Sequence, residues 1–267
     1  MRIFIAALRK LIRRPATFVT FGLLVGLLGL IIIAVSATAS QRTGRAAQEG
    51  LLLVTFPGAY SLILSFILGL GGLFAVIYGA AIAGSEWNWG TLKAAVARGE
   101  SRSRYQLLSF AGIVVMIGGG LILALGIGIV LAIVGANIAG VSTAGLGDAD
   151  TIKRMPDLMA RSWLAIVEEG ALGFTIATLA RSQLAGIGAG IAFFFGEQFA
   201  SIFLPDIVKY LPFNAANAVV ATTGANGPGG GTITRLEPNV ALAVVIAWLV
   251  GSLIVSAVFT ERAEISG

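Results

Sequence analysis

The 267-residue chain has no cysteine and no histidine. Those absences remove structural disulfides, thiolate nucleophiles, imidazole bases and the usual zinc ligand sets. Charge is also scarce: 12% of residues are Asp, Glu, Lys or Arg, where a soluble domain carries about 25%. Apolar residues fill the gap, at 57% of the chain with a mean hydropathy of +0.93. Such a composition belongs to a membrane protein. The net charge of +5 and pI of 10.0 come from Lys and Arg in the loops. They point to anionic lipid at the membrane surface, not to a nucleic-acid partner.

A membrane-spanning helix needs about 20 apolar residues, and six stretches qualify: 17–35, 60–83, 107–134, 162–179, 185–204 and 240–259. The expected fold is therefore an all-α membrane protein with six transmembrane helices. No 20–50-residue repeat and no long linker divides it, so 1–267 is one domain. Only Arg181-Ser182-Gln183 separates the fourth and fifth runs, which predicts a tight helical hairpin. With a cytosolic N-terminus, inner segments hold Arg2, Arg9, Lys10, Arg13, Arg14, Lys93, Arg98, Arg102, Arg104, Arg181 and Arg262. Outer segments hold Arg42, Arg45, Lys153, Arg154, Arg161, Lys209 and Arg235. The asymmetry, 11 against 7, predicts a cytoplasmic (inner) membrane protein with both termini in the cytosol.

Residues 1–16 are too charged to span. Ile3, Ile5, Ala6, Leu8, Leu11 and Ile12 recur at near-helical spacing with bases between them, which predicts an amphipathic helix lying on the inner leaflet. Pro15 marks the bend into the first span. A signal peptide cleaved near Ala37-Thr38-Ala39 is the competing reading, although the apolar run is long for one. In the outer segments, 51–56 is apolar but short and is expected in the interface, while Pro156 is expected to interrupt 150–161. The loop 205–239 contains Leu211-Pro212-Phe213, an apolar stretch 215–221 and a glycine-rich tip 224–231. Its apolar part is a candidate re-entrant segment, which requires that protein cover its backbone. Gly22/Gly26 and Gly186/Gly190 stand at GxxxG spacing, suited either to packing within the chain or to a contact with a second one.

Residues 84–106 form a charged, Trp-bearing island between the second and third spans. The stretch contains Glu86, Trp87, Trp89, then Gly90-Thr91-Leu92, and then Arg98, Arg102 and Arg104. An acidic residue, Gly-Thr-Leu and a basic stretch before the third span resemble the first intracellular loop of permease subunits of type-2 ABC transporters. Gly99-Glu100-Ser101 departs from the proline-containing turn of many relatives. The resemblance implies two permease chains, paired as a homodimer or heterodimer, and two copies of an ABC ATPase subunit that bind ATP and Mg. It implies export more than import, with 84–106 as the coupling segment. On that basis Glu86, Trp87, Trp89, Gly90, Thr91, Arg98, Arg102 and Arg104 are the expected partner-coupling residues. A re-entrant element before the last span also fits the resemblance. The alternative is a membrane anchor or scaffold that recruits a soluble partner without moving a solute.

The chain has no ATPase motif of its own. A P-loop needs Gly-Lys-Ser/Thr, and the four lysines precede Leu11, Ala94, Arg154 and Tyr210; LSGGQ is missing too. No enzymatic activity, cofactor or metal site is expected in this chain. Glu168-Glu169 suggests the Glu-Glu-x-x-x-Arg motif of intramembrane CAAX-type proteases, but Gly173 stands where arginine is required. Ionisable residues inside a span still call for an account. At about 1.5 Å per residue, Glu169 lies roughly 18 Å from the Arg181 turn and Glu197 roughly 21 Å from Gln183. Glu168, Glu169 and Glu197 thus share a depth in the outer half, with Glu168 and Glu169 about 100° apart. One expectation is polar anchoring to outer water or to Arg161, Lys153 or Arg154. The other is a translocation path, with Phe199 and the neighbouring phenylalanines beside Glu197.

Overall fold

The computed structural model describes residues 2–39, 45–220 and 235–263. Among them there are eleven α-helices and no strand. They are α1 (Arg2–Ile12), α2 (Pro15–Ala39), α3 (Arg45–Val54), α4 (Gly58–Asn88), α5 (Thr91–Ala97), α6 (Arg102–Ala139), α7 (Ala149–Ala180), α8 (Gln183–Ala200), α9 (Pro205–Val208), α10 (Pro212–Ala218) and α11 (Pro238–Arg262). Five of them, α2, α4, α6, α7 and α11, are long and apolar enough to cross a membrane. Each contains one expected span. The remaining expected span, 185–204, corresponds to α8, which has 18 residues and a length of about 27 Å. Gln183, Glu197 and Gln198 dilute its hydropathy, and it is not among the five.

The helices alternate in direction, which gives the bundle two ends. At one end Arg14 Nη2 donates to Ser85 Oγ at 3.0 Å and Arg102 Nη1 donates to the Ala263 carbonyl at 2.6 Å. Arg181 sits over the rings of Trp87 and Phe259 at 5.4 and 5.3 Å. The starts of α2, α6 and α8 therefore meet the ends of α4, α7 and α11. At the opposite end Tyr60 OH donates to the Leu146 carbonyl at 2.8 Å, and Arg161 Nη2 donates to Asn239 Oδ1 at 3.2 Å. The amphipathic α1 lies on α6, where Leu11 is buried against Gly112.

Helix α4 is the centre of the bundle, packed on α7, α8, α6 and α2. Its contact with α7 is close because both helices present glycine. A Cβ at Gly79 would strike the Gly170 carbonyl, and one at Gly173 the Val76 carbonyl. Small residues substitute here for a hydrophobic drive that lipid does not supply. Gly186 and Gly190 likewise seat α8 on Ala177 and Val76, whereas Gly22 and Gly26 meet nothing within 4 Å. Near the basic end a polar clamp joins three helices. Gln106 Nε2 donates to Thr178 Oγ1 and Ser256 Oγ, both at 2.8 Å, and its Oε1 accepts from the Thr260 hydroxyl.

Two expectations about the loops change. Helix α7 continues past Pro156. Proline deprives the carbonyl one turn earlier of its donor and crowds it, and that position, Ile152, is exposed in the first turn of the helix, where there is room to adjust. Asp148 caps this end by accepting from Thr151 N at 2.9 Å and from its hydroxyl at 2.5 Å, which holds the carboxyl below its ordinary pKa. Residues 51–56 also do not simply lie on the surface: Leu52 and Leu53 are exposed, but Val54 and Phe56 are buried in the core. The glycine-rich tip 224–231, with residue 221 and Arg42, lies outside the described residues.

Candidate coupling site and buried carboxylates

Glu86 is the hub of the segment 84–106. Its Oε1 accepts from Lys10 Nζ at 2.6 Å. Its Oε2 accepts from Tyr105 OH at 2.6 Å and from the Thr91 hydroxyl. One carboxylate thus joins α1, the end of α4, the start of α5 and the start of α6. The local sequence makes this feasible. Gly90 closes α4 at φ 64°, a left-handed conformation that costs glycine little. Helix α5 therefore starts within two residues, and Thr91 can reach back to Glu86. Gly99, at φ 87°, makes the turn between α5 and α6 without proline.

The latch places Glu86 inside the fold. It is 7% exposed and satisfied within its own chain, so it is not a surface docking charge. Arg102 is also engaged internally, on the Glu261 and Ala263 carbonyls at the end of α11. Trp87 is half-buried under Arg181. The groups facing outward are Trp89, which is 65% exposed with Arg14 over its ring at 5.1 Å, together with Arg98, Arg104 and the α5 residues Lys93, Ala94 and Ala97. Arg104 stands 4.0 Å from Glu100. The charges of the expected set thus divide between an internal latch and an exposed face. Lys10 and Tyr105 belong to the latch but were not among the candidates. Lys10 looks like any other base of an interfacial helix, and a lone tyrosine near the start of a span carries no pairing signal.

The three carboxylates deeper in the bundle lie together, near enough for their charges to interact. Glu168, Glu169 and Glu197 are 0%, 1% and 2% exposed. They do not pair with Arg161, Lys153 or Arg154. Arg161 turns instead to Asp157, at 2.9 Å one turn earlier, and to Asn239. Glu197 is held by amides: Oε1 accepts from Asn214 N at 2.5 Å and Asn214 Nδ2 at 2.8 Å, and Oε2 from Phe213 N at 3.3 Å. It therefore caps α10, whose own N-cap residue, Leu211, has no side-chain acceptor. Glu169 lies directly against α4, where a Cβ on Gly72 would overlap its carboxylate. Both oxygens of Glu168 and Oε2 of Glu169 have no hydrogen-bond partner among the described residues. Phe199 is exposed on the other side of α8, so the fold does not bring it to the carboxylates. Phe193 and Phe194 pack on Phe213 instead.

No family model matches the chain, and no curated protein matches it.

Proposed function

We propose that the chain is the transmembrane subunit of an ATP-driven type-2 ABC exporter, powered by a separate ATPase subunit. The single observation carrying this reading is the Glu86 latch. A short helix, α5, is tied through one carboxylate to the ends of two long membrane helices and to the interfacial α1. A force on the exposed face of α5 and Trp89 is thereby passed to α4 and α6 together. Trp89 provides a large, exposed aromatic contact of the kind enriched at interface hot spots, while Arg104 supplies charge that sets register. In this reading the basic end is cytosolic and α8 is a sixth crossing. Residues 205–220 are the described part of a re-entrant segment. Its support is the burial of Phe213 against Val76 and Leu172. Val76 is 12 residues (88 − 76) from the Asn88 end of α4, or about 18 Å along the helix. A second permease chain, the same or a different one, completes the permease, and the open Gly22/Gly26 face of α2 is available to it.

The test is affinity purification from native membranes with the wild type and the Glu86→Ala and Trp89→Ala variants. The expected result is an ABC-type ATPase co-purifying with the wild type. Trp89→Ala should weaken that association, and Glu86→Ala should leave hydrolysis uncoupled from transport while insertion stays normal. If cross-linked wild-type chain brings down no such ATPase, or both variants retain wild-type binding and coupling, the reading fails.

A further inference from the structure

Beside the latch lies a cavity of about 270 Å³ between α1, α4, α5 and α6. Its walls combine alanines of α1 and α5 with Lys10, Arg98, Glu100 and Tyr105. We propose that it is a binding site for one membrane phospholipid headgroup, with the phosphodiester held by Lys10 and Arg98 and an ethanolamine ammonium held by Glu100.

The position comes first. The cavity lies where the apolar parts of α4 and α6 give way to the charged segment 86–104 and beneath the amphipathic α1, the level at which headgroups meet a bilayer's hydrocarbon. Basic pockets between membrane helices at this level suit lipid phosphates. The second point is unspent donor capacity. Lys10 has three N–H donors and gives one to Glu86. The Arg98 backbone amide donates to the Ala95 carbonyl, while its guanidinium lines the cavity with no hydrogen bond or ion pair among the described residues. A phosphodiester accepts from both. The third point is sign. Glu86 already accepts from Lys10, Thr91 and Tyr105, but Glu100 has only Arg104 at 4.0 Å, beyond hydrogen-bond reach. An available carboxylate beside two bases disfavours a multiply charged anion such as a nucleotide triphosphate and favours a headgroup that carries an ammonium. The last point is size: 270 Å³ falls below the roughly 300 Å³ at which pockets for drug-sized ligands begin. It suits a headgroup whose acyl chains stay outside.

This inference does not depend on an ATPase partner, and a failure to co-purify one leaves it standing. The experiment is native mass spectrometry of the delipidated full-length protein, titrated with phosphatidylethanolamine, phosphatidylglycerol or phosphatidylcholine. Wild type should bind one phosphatidylethanolamine per chain more tightly than the other two. Loss of a charge-assisted hydrogen bond should cost about tenfold or more. Arg98→Ala should therefore weaken all three lipids about tenfold. Glu100→Gln should weaken phosphatidylethanolamine alone, down to the phosphatidylglycerol level. Arg98→Gln, which keeps most of the side-chain volume, serves if Arg98→Ala misfolds. Equal binding of the three lipids, or unchanged binding in a folded Arg98 variant, overturns the proposal. So does displacement of the lipid by millimolar inorganic phosphate, which would mark a soluble-anion site. Exclusion of lipid by a co-purifying protein subunit would reassign the cavity to a protein interface and also overturn it.

Discussion

Replacing Gly72 with alanine tests the α4–α7 contact at its most unusual point. The added methyl group would occupy the space of the Glu169 carboxylate, which is enclosed by the bundle and cannot swing into solvent. Overpacking of this kind costs about 1–3 kcal/mol. Gly72→Ala belongs at the low end, because the obstruction is the end of a flexible side chain. Gly79→Ala belongs at or above the high end, because its methyl group meets the Gly170 backbone carbonyl, which can yield only by separating the helices. Intrinsic tryptophan fluorescence during thermal unfolding in nanodiscs provides the measurement. For a chain of this size each kcal/mol moves the midpoint by about 2–4 °C. The expected order is wild type, then Gly72→Ala, then Gly79→Ala. Trimming the obstruction should also rescue only the first: Gly72→Ala with Glu169→Ala should couple favourably by about 1 kcal/mol, within the range for contacting pairs. Glu169→Ala should give Gly79→Ala no comparable rescue. An unchanged midpoint for Gly72→Ala, or additivity of Gly72→Ala and Glu169→Ala within about 0.5 kcal/mol, would refute the packing argument.

Three further outcomes are expected. Gln106→Leu should destabilise the bundle by about 0.6–2 kcal/mol, the range for polar contacts between membrane helices; an unchanged midpoint would mean that the clamp of Thr178, Ser256 and Thr260 is not stabilising. Glu197→Ala should cost about 1–2 kcal/mol as a lost cap and Glu197→Gln less, because its amide oxygen can still accept. Altered transport by Glu197→Gln in a fully assembled complex would place the carboxylate on the substrate's route instead. Because the chain has no native cysteine, single-cysteine labelling is free of background. Lys153→Cys should react with an impermeant maleimide in intact cells and Asn88→Cys should not, and the reverse pattern would invert the topology.

The long helices were legible because an unbroken apolar run of about 20 residues has few other solutions. The α7–α8 hairpin was legible for a related reason: Arg181-Ser182-Gln183 is too polar to stay in a span. Sequence reasoning did less well wherever a polar group's partner lies far along the chain. Glu86 resembled a surface charge because nothing nearby announces Lys10, 76 residues away. Glu197 resembled an exposed anchor or a substrate contact because capping by a carboxylate from another helix leaves no local pattern. The expected pairing of the deep glutamates with Arg161 failed for the opposite reason: Asp157, one turn away on the same helix, competes successfully. Pro156 misled because proline is most disruptive where the orphaned carbonyl is buried, and here it is not.

The Glu86 latch also constrains the order of assembly during synthesis. Lys10 leaves the ribosome 76 residues before its acceptor at the end of α4. Tyr105, which completes the latch, follows later still, at the start of α6. Until then α1 can associate with the membrane only through its apolar face and its bases. Helix α1, made before α4 and α6, therefore reaches its final seat only when both have been delivered in the correct orientation. A reversed α4 would carry Glu86 to the far side of the bilayer, beyond the reach of Lys10.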